Sequence, residues 1–207
     1  TLNGEIRSAG ATVSIGDSNT GVTLAGTTSI IDTTNNGGNA AGGGITLGGA
    51  INGTAANTQS LTLNAGTGGA ISATGNIGAT TTLATLTITN SNGATFSGSV
   101  ATGTSVVLTD TTDAANITFN GALTTPTLTT AAQGYDLDIL GGGTAVTNNV
   151  SFANTGTLAL GDAAADTLTF TGGLTATAPS AVTLNGEIRS AGATVSIGDS
   201  NTGVTLA

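Results

Sequence analysis

The sequence predicts an all-β fold, a parallel β-helix of about eight coils per 182 residues, and three observations carry that expectation. A degenerate seven-residue motif recurs eight times. Twenty-five residues are duplicated letter for letter at a separation of 182. The composition sets 34 Gly and 45 Thr against 2% aromatic and 6% charged residues in a chain of 207. A typical soluble domain carries about 25% charged residues and fills its core with large side chains, so this chain must rely on small and branched residues and on its backbone. Disordered segments combine low hydrophobicity with high charge, whereas mean hydropathy here is +0.28. Collagen needs Gly at every third position and abundant proline, and the only prolines are Pro126 and Pro179.

The duplication sets the long period. Residues Thr1 to Ala25 read TLNGEIRSAGATVSIGDSNTGVTLA, and Thr183 to Ala207 read the same. Residues 1–182 are therefore expected to form one full β-helical unit. Residues 183–207 are expected to begin the next identical unit in the same solenoid, cut from a longer tandem array.

Within the unit, the motif [V/I/L]-[T/S]-[L/F]-x-[G/N]-x-[I/L/V] begins at Val22, Ile45, Ile71, Ala94, Ile117, Val150, Leu168 and Val182, a mean spacing of 22.75 residues. Side chains alternate faces along a strand, so the first and third positions point inward and the second outward. The outward position holds Thr23, Thr46, Ser72, Thr95, Thr118, Ser151, Thr169 and Thr183, a hydroxyl in every copy. The fifth holds Gly26, Gly49, Gly75, Gly98, Gly121, Asn154, Gly172 and Gly186. Gly and Asn tolerate positive φ, so this column is expected to form a left-handed or bulged corner.

A second strand precedes most copies, at Val13 to Ile15, Leu61 to Leu63, Leu86 to Ile88, Val106 to Leu108, Leu137 to Ile139 and Leu158 to Leu160, with turn segments such as GDSNTG and TDTTDAAN between. Units of this size cannot bury an apolar face alone but can do so by stacking. Eight coils at ~4.8 Å predict a rise of about 38 Å per period, and Phe96 and Phe119, one coil apart, are expected to stack.

Chemistry along this rod is sparse. Cys, His, Met, Trp and Lys are absent, and eleven acids face only Arg7 and Arg189, a net charge of −9. No disulfide, no Cys/His zinc site and no nucleic-acid partner are expected. No apolar run approaches the ~20 residues of a membrane-spanning helix. The acid pairs Asp136 and Asp138, Asp110 and Asp113, and Asp162 and Asp166 offer oxygen ligands for Ca2+. The G-G-x-G-x-D repeat of calcium-loaded rolls is missing, however, so no cofactor is expected and Ca2+ is the weak alternative. The same pairs lack companion bases or cations for glycoside chemistry, so no catalytic residue is assigned. Glu5 with Arg7, and their copies Glu187 with Arg189, should form outward surface ion pairs. Sequons at Asn52, Asn116 and Asn149 follow from composition. Stacked hydroxyls can order water or ice, but the fourth motif position is too mixed to supply a second rank.

The VTLNGEI, ITFNGAL and LTFTGGL motifs, the GDSNTG and TDTTDAAN turns and the Gly/Thr/Ala/Asn bias together resemble the repetitive passenger regions of filamentous-haemagglutinin and autotransporter-type bacterial surface adhesins. The resemblance implies a right-handed β-helix exported to the cell surface as a stalk or fibre. The residues lead to the same expectation: a structural or adhesive extracellular fibre, extended end to end by copies of its repeat, touching surface glycans or neighbouring fibres. An ice- or crystal-binding module using the hydroxyl column is the alternative.

Overall fold

The computed structural model describes residues 1–207, a parallel β-solenoid with no helix. Every pairing between its named strands is parallel, from one coil to the next. Each coil has three faces rather than the two strands expected. The first face is a nine-stranded sheet from Val13–Ile15 through Ile45–Leu47, Ile71–Ala73, Ala94–Phe96, Asn116–Phe119, Asp136–Ile139, Thr157–Leu160 and Ala181–Leu184 to Gly203–Leu206. The second face carries Val22–Leu24 and Ile51–Gly53, bridges through Ile77 to Val100, and continues with Leu123–Thr125, Ala145–Val146, Thr167–Phe170 and Glu187–Arg189. The third begins with Glu5–Arg7, Thr28–Asp32, Ser60–Asn64, Leu83–Asn90 and Thr127–Thr130, and ends in Val150–Ser151, Leu174–Ala176 and Val195–Ile197. The long strand Val100–Leu108 rounds the corner and joins faces two and three in one sheet.

The seven-residue motif therefore does not form one column. Copies at Ile45, Ile71, Ala94 and Ile117 stack on the first face, and Val182 rejoins them three coils later, beyond Leu137 and Leu158. The copies at Val22 and Leu168 lie on the second face and that at Val150 on the third. An apolar-hydroxyl-apolar tripeptide fits any face, so the motif marks strands without marking which face they join. Where it does sit on face one, its seventh residue (Ile51, Ile77, Val100, Leu123 or Ile188) opens the second face.

Inner positions make a single apolar column of 37 buried residues running the length of the stack. Phe96 and Phe119 stack, with ring centroids 4.9 Å apart and planes inclined by 10°. Phe152 and Phe170, from different faces, meet edge to face at 6.0 Å. That contact keeps the off-column motif copies packed in the same core. The junction between residues 182 and 183 falls inside the strand Ala181–Leu184, so the solenoid continues there unbroken.

Of the eight corner positions, Gly186 alone has positive φ, at 99°. The expected left-handed corner is not what constrains the others. Gly49, Gly75, Gly98 and Gly121 lie one over the next, joined by Gly141, and a Cβ on any of the upper four would drive into the backbone of the glycine beneath or of the residue after it. Close approach of successive backbones selects glycine here. Gly26 meets Asn3 and Gly4, and Gly172 meets Asn148 and Asn149. Asn154 is buried, its amide donating to the carbonyls of Tyr135 and Thr157.

The single tyrosine reports on the core. The Tyr135 hydroxyl accepts the Ala131 N–H at 3.2 Å and faces the Leu108 carbonyl at 3.5 Å. Burial, aided by the Asp110 carboxylate, pushes its phenol up to about 12 against the hydrogen bonds from Ala131 and Thr130. The raised value favours the neutral form. Its contribution to stability is complete below the unfolded-state pKa of ~10 and is lost as pH rises from there through 12. Ultraviolet titration is expected to show no tyrosinate at pH ~10, with alkaline unfolding setting in above that. Half-ionisation near pH 10 in the folded chain would contradict this burial.

Candidate functional site

One groove of about 400 Å3 opens along the edge of the third face. It forms because strands there end in amides at matching offsets: LTLN puts Asn64 at the end of Ser60–Asn64, and LTITN puts Asn90 at the end of Leu83–Asn90. In register, Asp32 lies opposite Asn64 and Asn64 opposite Asn90. The Asn90 amide then donates to Asp110 Oδ2 at 3.2 Å. Thr34, Thr67, Thr89, Thr109 and Gln133 complete the polar wall, and Ala40 is the single hydrophobic lining residue. The excursion that forms one lip is tied by Thr33, whose hydroxyl donates to the Gly43 carbonyl at 2.7 Å and accepts its N–H at 2.9 Å.

Asp32 closes the ladder below the groove and is 3% exposed. It accepts the Thr34 hydroxyl at 2.6 Å and the N–H groups of Thr34 and Asn36 at 2.9 and 2.7 Å. The Arg7 guanidinium lies 3.8 Å away. Burial would push this carboxyl up, but the Thr34 hydroxyl, the two N–H groups and Arg7 together hold it below the ordinary value. A depressed pKa contributes stability above the unfolded value of ~3.9 that is lost as pH falls through the folded one. Asp32→Ala is expected to lower unfolding free energy by about 2 kcal/mol at pH ~7, with the gap closing below pH ~4. Denaturant melts at both pH values check it; a gap that persists in acid would contradict the assignment.

Of the six acids that were the weak Ca2+ alternative, Asp110, Asp136, Asp138 and Asp166 have their carboxylates hydrogen-bonded to the protein. Asp136 Oδ1 accepts the Thr157 N–H at 2.6 Å, and Asp138 Oδ2 accepts the Asn116 amide at 2.6 Å and the Thr118 hydroxyl at 3.3 Å. Asp110 receives Asn90 and its neighbour's N–H. Asp113 packs at Gly134. Asp166 Oδ2 accepts the N–H groups of Asp162 and Ala163, which hold its carboxyl below the usual range. No three Asp, Glu, His or Cys side chains gather as a metal site. The Glu5–Arg7 and Glu187–Arg189 pairs form on the surface at 2.7 and 2.6 Å.

The hydroxyl column is real over part of its length. Ser14, Thr46, Ser72, Thr95 and Thr118 are consecutive on the first face, after which Asp138 and Ala159 intervene before Thr183 and Thr205. Thr23 lies on the second face opposite Asn52, Thr169 on the second opposite Ala145, and Ser151 on the third opposite Thr175. The column is one hydroxyl wide: the three-residue strands turn only their central residue outward, and the second outward rank that begins at Asn116 runs on through Asp136, Thr157 and Ala181, a mixture of side chains. The groove offers hydroxyl and amide hydrogen bonds and the column hydroxyls, neither with an aromatic platform, and Asp110 is the only acid lining the groove. Neither Asp32 nor the Asn64–Asn90 ladder was among the expected site residues, although the shared L-T-[L/I] run ending in Asn signals it. Comparison with protein-family models, with curated proteins and with solved structures finds no match to this chain.

Proposed function

We propose that this chain is a length of extracellular fibre or stalk, structural and adhesive in role and without catalysis, extended end to end by copies of its own repeat. The observation that carries this reading is the uninterrupted nine-strand ladder of the first face, joined to a duplicated segment that continues it without a seam. A solenoid of this kind lengthens in proportion to its repeats and gains stability from each new interface. The resemblance to filamentous-haemagglutinin and autotransporter-type passenger regions supports placement at a bacterial cell surface. The near absence of Lys and Arg suits a rod that trypsin-like proteases leave intact. Surface glycans or adjoining fibres would meet the polar faces, the groove included.

Electron microscopy of chains one, two and three periods long tests the rod. Contour length is expected to grow by about 37 Å per period, from ~4.8 Å per coil. Particles of constant diameter would overturn it. Immobilised chain should also retain hydroxyl-rich polysaccharide. Thermal hysteresis is expected to be absent, since the hydroxyl column is single-file and broken at Asp138 and Ala159; a clear hysteresis gap would move the assignment to an ice-binding module.

A further inference from the structure

The two copies of the 25-residue segment have one sequence and two placements. Glu5–Arg7 lies on the third face, whereas Glu187–Arg189 lies on the second. Val13–Ile15 is on the first face and its copy Val195–Ile197 on the third. Val22–Leu24 is on the second and its counterpart, within Gly203–Leu206, on the first. All three strands shift by one face in the same sense. A period of 182 residues thus advances seven coils and two faces of the eighth, not the eight whole coils expected from motif spacing.

Resting on the fibre reading above, we infer that the final coil is a docking edge for a second copy of the repeat, and that each period is turned by one face relative to the one before. The occupant is identified by the first copy of the segment, which shows what covers it. Glu5 lies opposite Ile30, Ser14 opposite Thr46, and Thr23 opposite Asn52. Under that cover Val22 and Leu24 are 9% and 1% exposed, while their duplicates Val204 and Leu206 stand 43% and 80% exposed. Charge agrees with shape. Arg7 has Asp32 as a second acidic neighbour on the covering strand, whereas Arg189 has only Glu187. The second copy's Asp32 would supply the missing one.

The turn follows from strand chemistry. Val-Ser-Ile, Val-Thr-Leu and Ile-Thr-Leu present the same inward pair and outward hydroxyl, so each accepts any of the others as a parallel neighbour. Consequently the first-face run from Ser14 to Thr118 would reappear on the third face in the next period and return to the first only after three periods. That is 23 coils, roughly 110 Å. A fibre built this way shows the same polar column to every side, which suits contact with surfaces approached from any direction.

The absence of cysteine makes the inference testable by crosslinking. In a two-period chain, residues 1–207 followed by a second copy of 26–207, Ser196→Cys is paired with Thr46→Cys of the second copy. A separate chain pairs Thr205→Cys with the same substitution. Facing residues on adjacent parallel strands lie within disulfide reach. Ser14→Cys with Thr46→Cys in the single chain, neighbours in the structure, is the reference. Mild oxidation is expected to close the Ser196 pair within one chain to the yield of the reference and to leave the Thr205 pair open. Closure of the Thr205 pair instead, or of both equally, would overturn the turn while leaving the rod standing. Failure of both, with the reference closing, would overturn the stacking of repeats and the fibre reading with it.

Discussion

Phe119→Ala is expected to lower the unfolding free energy by about 3–5 kcal/mol, the range for removing a buried aromatic ring. Phe119 is fully buried, lies one coil above Phe96, and shares a stacked contact with it at 4.9 Å. Aromatic side chains are only 2% of the sequence, so few neighbours could swell into the vacancy. Coils are held by nearest-neighbour interfaces, so the damage should centre on the coils of Ala94–Phe96 and Asn116–Phe119. Denaturant melts followed by Tyr135 fluorescence measure it, with Thr95→Ala as the outward control, expected within about 0.5 kcal/mol of the parent. Comparable losses for the two would mean that the Phe pair is not packed in the core.

Gly121→Val should destabilise by about 3 kcal/mol or more, at or beyond the upper end of ordinary overpacking. A Cβ at this position collides with the Gly98 backbone and lies 2.6 Å from the Ser99 nitrogen. The coils cannot spread to admit it, because the Asn120 N–H is tied to the Phe96 carbonyl at 2.9 Å and the Leu140 N–H to the Phe119 carbonyl at 2.9 Å. Gly143→Ala separates space from conformation. Gly143 has φ 81° with nothing near its missing Cβ, so alanine there should cost only the left-handed penalty of about 1–2 kcal/mol. If the two variants melted together, crowding would not be the reason for glycine at position 121.

The candidate site was legible only in part. The hydroxyl at the second motif position is visible in every copy, and an alternating pattern is enough to turn it outward. Its neighbours are not visible, because Asp138 and Ala159 enter the column through strands whose sequences, Asp136–Ile139 and Thr157–Leu160, do not match the motif. Nothing in the residues around Asp32, the last of the strand Thr28–Asp32, marks it as a buried acid. Its burial beneath Thr34 and beside Arg7 depends on a strand twenty-five residues away, and local pattern carries no information at that distance. The corner glycines show the same division. Their regular spacing announced a backbone constraint, but whether that constraint is positive φ or the backbone of the next coil depends on what lies beneath.

From the sequence alone follow the strands, their inward and outward residues, the stacking of coils and the 182-residue period, because alternation along a strand and the chemistry of turns are local. The number of faces and the face each strand joins were decided only in three dimensions. Strands of three residues with an interchangeable apolar-hydroxyl-apolar pattern have no local preference among neighbours. The choice rests on the summed packing and hydrogen bonding of whole coils, which is why one 25-residue sequence occupies two different sets of faces at the two ends of the same molecule.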